Sequence, residues 1–269
     1  YCALSLDSLE KYAPAREQFA MFLQAEPEGR NAAEARYRLG ECSYYLRDYA
    51  AAIEQLSAYL EKHPSHSRGE WAKLFLGESY VGSEQWTKAE AILNPLVHSG
   101  TTSPSVALDA GFSLGTALEG LEKIPEALQQ YDTIVAAKNP AMAPRALIRI
   151  GAIQFTAEQY QAAAATYDEL LTTYPTSAQV ASANLGAGMA WYRTGSFDTA
   201  LQRFRAIPRD SSSAAKAILM TAMSLRDLGR VEESRQEFAE ALKAAGDSPL
   251  AADILFQQAQ MERTGTDRE

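Results

Sequence analysis

The sequence has few of the residues that most often carry enzyme chemistry or covalent cross-links. Its 269 residues include two cysteines and three histidines, so a network of disulfide bonds is excluded by count, and we expect Cys2 and Cys42 to be buried thiols. His63 and His66 have no nearby cysteine to complete a zinc site, and we expect both of them, and His98, to be exposed loop residues.

Two common catalytic motifs are missing as well. The sequence contains no Gly-rich phosphate loop and no His-Glu-x-x-His motif. We therefore predict no catalytic residue, no metal site and no cofactor, and we expect the chain not to be an enzyme.

Long apolar runs and an excess of positive charge are also absent. No stretch approaches the roughly 18 consecutive apolar residues of a membrane span, so none is predicted. The net charge of −9 argues against nucleic-acid binding, which needs a basic face. The charge is unevenly distributed: residues 1–135 contain 11 Lys and Arg against 19 Asp and Glu, whereas residues 136–269 contain 14 against 15.

The sequence does contain a repeat, in which a small residue is followed four positions later by an aromatic residue or leucine. The small residues are separated by 37, 37, 38, 36, 37 and 34 positions. A period in this range is typical of stacked helical pairs. The pairs are Ala15/Phe19, Ala52/Leu56, Ala89/Leu93, Ala127/Tyr131, Ala163/Tyr167, Ala200/Phe204 and Ser234/Phe238.

Each repeat is interpreted as two amphipathic helices, since apolar residues recur at helical spacing between Gly and Pro. In one repeat we predict helices over about Ala33–Leu46 and Tyr49–Lys62, with His63 ending the second because Pro64 follows. The same stop is predicted at Pro27, Pro175 and Pro208, and in shifted form at Pro95 and Pro140. We expect hydroxyl groups after these prolines to cap the next helix, namely those of Ser65, Thr176, Ser177 and Ser211.

A glycine recurs at the centre of the first helix of the pair. Glycine lowers helix propensity, so its recurrence indicates close approach of a neighbouring helix at that point. These residues are Gly40, Gly77, Gly115, Gly151 and Gly188. The aromatic residues of the second helices are then predicted to be core.

The pattern Leu-Gly-x-x-x-Tyr, followed by Tyr-x-x-Ala-x-x-x-Phe and a closing proline, resembles the tetratricopeptide repeat (TPR). Good matches are Leu76-Gly77 to Tyr80 with Trp86 and Ala89, and Tyr160 to Tyr167 with Pro175. The resemblance implies an all-α fold, a right-handed α-solenoid of antiparallel helix pairs in a TPR superhelix, with about six full repeats plus partial terminal repeats. A single array over 1–269 would contain repeats 1–29 (partial), 33–66, 70–104, 108–143, 144–177, 181–211, 215–246 and 249–265 (partial, a capping helix).

The resemblance also implies that the first helices line a concave groove that binds a protein or peptide partner. By the family's register, the candidate groove residues are Tyr37, Glu41, Tyr44, Tyr45, Trp71, Glu78, Phe112, Arg145, Phe155, Tyr192, Arg193, Lys216 and Arg226. Their character passes from acidic and aromatic to apolar and then to basic. Arg145 and Arg149 resemble the basic end of the clamp that chaperone-binding members use for a carboxylate. The clamp's Asn positions instead hold Glu41, Glu78, Thr116, Ala152, Met189 and Met223, so chaperone-tail recognition is disfavoured.

Three interpretations of function follow. The first is a non-catalytic protein-interaction scaffold, which we expect in a bacterial cell-envelope complex. The envelope expectation rests on the phrases Tyr174-Pro175-Thr176-Ser177 and His63-Pro64-Ser65-His66, which are similar to those of bacterial envelope repeat proteins such as the Tol-Pal-associated periplasmic protein and the outer-membrane assembly lipoprotein. A periplasmic or envelope location is then expected, with the cytoplasm left open. The second is a docking or regulatory portion of a longer enzyme or signalling protein.

The third interpretation is a self-assembling scaffold, a homo-oligomer formed through its terminal repeats. A last helix over about Pro249–Arg263 has no partner helix, and we expect it to expose Ile254, Leu255 and Phe256. Because residue 1 is Tyr and the first helix begins within a repeat, we expect the chain to derive from a longer one.

Overall fold

A computed structural model describes the backbone of residues 6–266 and the side chains of residues 11–263. Across the described backbone the regular structure is helical, without a β-strand. The chain forms two compact units, Tyr1–Ala137 and Lys138–Glu269. The division falls where the charge balance changes, so the first unit contains the acidic part of the sequence and the second the nearly neutral part.

Each unit is built from antiparallel helix pairs, as predicted for an α-solenoid. The first unit contains α1 (Leu6–Ala25), α2 (Ala32–Tyr45), α3 (Tyr49–Lys62), α4 (Gly69–Gly82), α5 (Trp86–His98), α6 (Pro104–Gly120) and α7 (Ile124–Ala136). The second contains α8 (Ala143–Thr156), α9 (Tyr160–Thr173), α10 (Val180–Arg193), α11 (Phe197–Arg205), α12 (Ala214–Asp227), α13 (Val231–Ala245) and α14 (Leu250–Thr266). The even-numbered helices from α2 to α12 are first helices, and the odd-numbered helix after each is its second helix.

The central glycines place the two helices of a pair in direct contact, as the sequence predicts. A Cβ atom added to Gly40 would lie 2.6 Å from Leu56 Cγ, and one added to Gly77 would lie 2.4 Å from Leu93 Cδ2. In the second unit, a Cβ on Gly188 would lie 2.5 Å from Phe204 Cε1. Real Cβ atoms do not approach carbon atoms this closely, so the glycine is a packing requirement that outweighs its low helix propensity.

Each pair is joined by a turn whose backbone enters the left-handed region. Arg47, Glu84, Glu122 and Glu158 adopt positive φ angles of 58–60°, and Gly195 and Gly229 take the corresponding places in the later pairs. In the first of these turns the Asp48 N–H donates to the Ser43 carbonyl (2.9 Å) and the Arg47 N–H to that of Tyr44 (2.9 Å). These bonds satisfy carbonyl groups left free at the end of the first helix.

Most predicted helix ends are confirmed, with one exception. α3 ends at Lys62 with His63 as its cap, and α9 ends before Pro175. The prediction that Pro95 stops a helix is wrong, since Pro95 lies inside α5. Its carbonyl still accepts a hydrogen bond from the Ser99 N–H (3.0 Å), which completes the last turn of that helix.

The predicted hydroxyl caps are also wrong. The first residues of α4, α10 and α12 follow Arg68, Gln179 and Ser213, and no side chain of these three residues caps its helix. Ser65, Thr176, Ser177 and Ser211 lie earlier, in two successive backbone turns that precede each helix. By contrast, α3 has a side-chain cap, in which Asp48 Oδ1 accepts from the Ala51 N–H (3.2 Å).

The histidines differ from the expected exposed loop residues. His66 Nδ1 lies 2.7 Å from the Tyr59 hydroxyl, and His63 Nε2 lies 3.4 Å from Arg36 Nη1. Both rings are half-buried, and burial together with Arg36 lowers the pKa of His63. His98 is exposed as expected, but it lies in the last turn of α5 rather than in a loop. Cys42 is buried, as predicted, whereas Cys2 lies outside the described residues.

The last helix differs in part from its prediction. Leu255 and Phe256 are 53% and 60% exposed, as expected, but Ile254 is fully buried. Ile254 belongs to a core cluster with Phe238 and Ala241 of α13, so α14 packs on the preceding pair through one face and leaves another open.

Candidate interaction surface

The surface predicted to bind a partner is formed by first helices that lie side by side. In the first unit α2 contacts α4 and α4 contacts α6; in the second, α8 contacts α10 and α10 contacts α12. Side chains on the shared face of successive first helices are therefore brought together, while the second helices cover the opposite side.

An aromatic patch occupies this face of the first unit. We define it as Tyr12, Tyr44, Tyr45, Trp71 and Phe75. The Tyr45 ring stacks on that of Tyr12 at 4.5 Å, and the Phe75 ring lies 4.9, 5.6 and 6.0 Å from those of Tyr44, Tyr45 and Trp71. Phe75 is buried at the centre, whereas the other four rings are half-buried and keep one part accessible to solvent. Packed aromatic rings of this kind offer rigid contact area at low entropic cost.

Two carboxylates border the aromatic patch. Glu41 accepts hydrogen bonds from Arg38 Nη1 (2.7 Å) and from the Tyr37 hydroxyl (3.1 Å). Glu78 accepts from Ser113 Oγ of α6 (3.0 Å) and from the Tyr44 hydroxyl. Burial, followed by the nearby charge of Glu78, raises the pKa of Tyr44 well above its usual value. The phenol therefore stays protonated at neutral pH and holds this carboxylate against the patch.

Tyr37 is a correction to the predicted set. It is 2% exposed, because its ring packs between Tyr59 (5.8 Å) and Phe75 (6.4 Å) and lies beneath Arg38 and Arg68. Its side chain therefore belongs to the core, and its hydroxyl group positions Glu41 through the hydrogen bond given above. Phe112 is half-buried, and its ring lies 5.6 Å from that of Tyr131 on α7.

The second unit brings two of the predicted residues together through an acidic neighbour. Arg226 of α12 donates from Nε to Asp227 (2.7 Å) and from Nη2 to the Tyr192 hydroxyl of α10 (3.4 Å). The Tyr192 hydroxyl also donates to Asp227, and Arg226 reaches Gln257 of α14 (3.1 Å). Burial and Asp227 raise the pKa of Tyr192 to about 12. Because Asp227 compensates Arg226, this part of the face is less basic than the sequence suggests.

Another group of contacting side chains in this unit lies at the turn between α8 and α9 and consists of Phe155, Tyr160 and Arg193. The Tyr160 ring packs edge-on against Phe155 (5.2 Å), and the Arg193 guanidinium lies 4.3 Å from its centroid. This geometry is a cation–π contact. Arg145 is half-buried with Nη1 3.3 Å from Met142 Sδ, and Lys216 is exposed.

Two members of the aromatic patch were missed by the sequence prediction. Tyr12 lies on α1, a second helix, and only first helices were assigned to the groove. Phe75 lies four positions after Trp71 on α4 and was not assigned to the groove. The signal that could have found Tyr12 is its place three residues before Ala15, which matches Tyr49 before Ala52.

Among side chains 11–263 no three His, Cys, Asp or Glu residues come together to hold a metal ion. No helix within the described part of the chain combines the length and apolar character that crossing a membrane requires.

The antiparallel pairs, the close glycine contacts and the aligned first helices define a helical-repeat protein of the α-solenoid class. Residues 3–67, 112–178 and 219–265 match the family described as tetratricopeptide repeat. Because these segments make up more than half of the chain, it belongs to the tetratricopeptide repeat family.

Solved structures share this fold at low sequence identity. A tetratricopeptide repeat protein from Parabacteroides merdae is 18% identical, with a TM-score of 0.62 over 87% of this chain and 90% of its own. The quorum sensor NprR from B. thuringiensis, in its apo form, is 15% identical, with a TM-score of 0.63 over 95% of this chain and 80% of its own. A Rap protein complexed with Competence and Sporulation Factor is 14% identical, with a TM-score of 0.54 over 94% and 72%. No curated protein sequence matches the chain.

Proposed function

We propose that this chain is a non-catalytic scaffold that binds a peptide segment of a protein partner on the first-helix face of its first unit. The aromatic patch is the observation that carries the proposal. Three of its half-buried rings pack on the buried Phe75, the fourth, Tyr12, stacks on Tyr45, and two carboxylates border the patch. Solvent-accessible aromatic rings held in fixed positions are the residues that most often dominate binding energy at interfaces.

The chemistry of the patch favours a partner segment with apolar and basic side chains. The surrounding unit has a charge of −8, from 11 Lys and Arg against 19 Asp and Glu over residues 1–135. Its potential therefore attracts cationic segments and repels acidic ones. The rings can accept Arg or Lys side chains through cation–π contacts, and Glu41 and Glu78 lie at the border of the patch.

Another protein with a similar fold has been solved as a complex. The Rap protein was solved in complex with Competence and Sporulation Factor. This supports an interaction role for the fold.

The proposal is tested by selecting binders from a random peptide library on the immobilised protein. We expect selected peptides to be enriched in Arg and Lys next to apolar residues. The double variant Tyr45→Leu/Trp71→Leu keeps apolar bulk but removes two aromatic faces, and it should weaken binding at least about tenfold, as measured by fluorescence polarisation. Phe256→Leu, a similar change at an exposed ring of the second unit, should leave affinity unchanged.

Two results would contradict the proposal. One is a selection that yields no enriched peptide. The other is a set of selected peptides that bind the double variant as tightly as the wild type, while circular dichroism shows that both proteins are equally folded.

We also propose a bacterial envelope or periplasmic location. Its support is the similarity of the connecting phrases, such as Tyr174-Pro175-Thr176-Ser177, to those of bacterial envelope repeat proteins. Fractionation of the producing organism with an antibody to this chain tests it, and recovery from the cytoplasmic fraction alone would reject it.

A further inference from the structure

Two histidines lie in the connection that joins the pair α2–α3 to the pair α4–α5. His63 caps α3, and two successive backbone turns follow it. In these turns the His66 N–H donates to the His63 carbonyl (3.1 Å) and the Gly69 N–H donates to the His66 carbonyl (2.9 Å). Both imidazole rings are half-buried, and their centroids lie 5.7 and 5.8 Å from that of the Tyr59 ring. The path from α3 to α4 is therefore built on these two residues.

The contacts of each ring require a neutral imidazole. Arg36 Nη1 of α2 lies 3.4 Å from His63 Nε2, and a guanidinium group can only donate, so this ring nitrogen accepts and carries no proton. The Arg68 backbone N–H donates to His66 Nδ1 (3.4 Å), so this nitrogen is also unprotonated, and the Tyr59 hydroxyl donates to it (2.7 Å). The two histidines thus connect α2, α3 and the start of α4 only while both rings are neutral.

The charges around His63 oppose its protonation. Arg36 is 9% exposed, and Lys62 directly precedes His63 in the chain. Glu28 lies near both cations, with Oε1 3.3 Å from Arg36 Nη2 and 3.8 Å from Lys62 Nζ, but its side chain is 75% exposed, so solvent screens its charge. Burial, followed by the charge of Arg36, lowers the pKa of His63. Protonation would therefore add a positive charge next to two others.

The charged groups near His66 act on the beginning of α4. Arg68 is the residue before this helix; its Nε lies 3.5 Å from Glu34 Oε2 of α2, and its guanidinium group lies 5.6 Å from the centre of the Tyr37 ring. A protonated His66 has no acceptor nitrogen, so it cannot accept from the Arg68 N–H. The hydrogen bond that fixes the residue before α4 would then be lost.

We propose that His63 and His66 form an acid-sensitive latch, which holds α4 on α2 and α3 and opens when the two rings are protonated. Histidine is the side chain whose charge normally changes just below neutral pH. Because the folded state disfavours the charged form of His63, the unfolded chain binds the proton more readily. The stabilising effect of this residue is therefore complete above its usual pKa of 6.5 and is lost as the pH falls below that value.

The position of α4 gives the latch a consequence for the aromatic patch. Trp71 and Phe75 lie in the first two turns of α4, whereas Tyr44 and Tyr45 lie on α2. Opening of the latch should displace the first two rings from the other two, so a bound peptide should be released in acid. This consequence rests on the proposed function, whereas the latch itself does not.

The test compares the wild type with the double variant His63→Gln/His66→Asn. The amide oxygen of Gln can take the place of Nε2 and that of Asn the place of Nδ1, so the variant keeps both acceptors but cannot be protonated. His98→Asn is the matched control. His98 is exposed, and its Nδ1 lies 3.0 Å from the Asn94 carbonyl, which can only accept, so this contact is kept when the ring is protonated.

Hydrogen–deuterium exchange of the full 269-residue chain is measured at pH 7.5 and pH 5.0. At pH 5.0 the amides of residues 66–75 should exchange at least about threefold faster in the wild type and in His98→Asn than in the double variant, because the contacts that limit local opening are lost. At pH 7.5 the three proteins should exchange alike. Between these pH values the melting temperature of the wild type should fall by at least about 3 °C more than that of the double variant.

Circular dichroism at pH 7.5 checks that each protein is folded. Each single variant, His63→Gln and His66→Asn, should remove part of the difference, so the test remains available if the double change lowers stability at pH 7.5. Equal exchange of residues 66–75 in the wild type and in folded variants at pH 5.0 overturns the proposal. So does a His98→Asn variant that behaves like the double variant, since acid would then act at α5.

The affinity of a peptide selected from the library, measured at the same two pH values, tests the consequence for the aromatic patch. It should fall more in the wild type than in the double variant, and an equal fall would show that the latch does not act on the patch. If residues 66–75 behave as expected but the library yields no binder, the latch is supported and the peptide-binding proposal fails.

Discussion

Gly77 of α4 lies in close contact with Leu93 of α5, and substitutions at two glycines of α4 can test whether this contact requires glycine. A Cβ atom at Gly77 would lie 2.4 Å from Leu93 Cδ2 and 2.5 Å from Cγ, whereas ordinary contacts lie between 3.4 and 4 Å. Leu93 is completely buried and has little room to move. Gly77→Ala therefore requires the two helices to separate or Leu93 to change rotamer.

The expected size of this effect follows from two opposing terms. Alanine gains about 1 kcal/mol of helix propensity over glycine, while overpacking a close contact costs about 1–3 kcal/mol. With an overlap of about 1 Å we place the cost at the upper end, so Gly77→Ala should lower the free energy of unfolding by about 1–2 kcal/mol. Gly69 begins the same helix, and a Cβ there would meet nothing within 4 Å. Gly69→Ala should therefore be neutral or stabilising by up to about 1 kcal/mol.

The assay is urea denaturation followed by circular dichroism at 222 nm for the wild type and each variant. The double variant Gly77→Ala/Leu93→Ala provides a second test, because removing the leucine side chain also removes the overlap. Its destabilisation should be smaller than the sum of the two single effects by at least about 1 kcal/mol. The reasoning is refuted if Gly77→Ala is as stable as Gly69→Ala, or if the two changes at the contact are additive.

Three further predictions concern a turn, a thiol and a phenol. Glu158→Gly should raise the free energy of unfolding by about 0.5–1 kcal/mol, because Glu158 has a φ of 60°, a conformation that glycine adopts at lower cost than a residue with a Cβ atom. Glu169→Gly, on the exposed side of α9, should lower the free energy of unfolding by about as much in the same urea titration, because glycine is a poor helix former. In a Cys2→Ser background, Cys42 should react with a thiol reagent at pH 8 only on unfolding, because burial raises its pKa to about 11; fast labelling of the folded protein would contradict this. The pKa of Tyr192 is about 12 when folded and 10 when unfolded, so its stabilising effect is complete below pH 10 and is lost towards pH 12. Tyr192→Phe should reduce the loss of thermal stability across that range, and an unchanged loss would refute the assignment.

The periodic features of the fold could be predicted from the sequence because each depends on a contact inside one repeat. The glycine of a first helix and the leucine or aromatic residue of the second recur together, since each of them requires the other. Gly40 with Leu56 and Gly188 with Phe204 are confirmed on this ground. The boundaries of α3 could likewise be predicted, because Pro64 acts on the residue just before it.

Features that depend on side-chain contacts outside the repeat pattern, or on the turns between helices, could not be predicted in the same way. Tyr37 occupies a groove position by register, yet it is buried because Tyr59 and Phe75, from α3 and α4, pack against its ring. The hydroxyl caps failed because backbone turns such as that from His63 to His66 postpone the start of the next helix. The basic character of Arg226 was overestimated because Asp227, adjacent in sequence, turns toward it.

The local character of the helix contacts has a consequence for folding kinetics. Within each unit, the helices in substantial contact are adjacent in sequence or separated by one helix. Contacts between residues near each other in the chain require little loop closure, and domains of this kind fold in microseconds to milliseconds. Each unit should therefore begin to fold from any of its helix pairs, and a substitution that slows one pair should leave the rate of distant pairs unchanged.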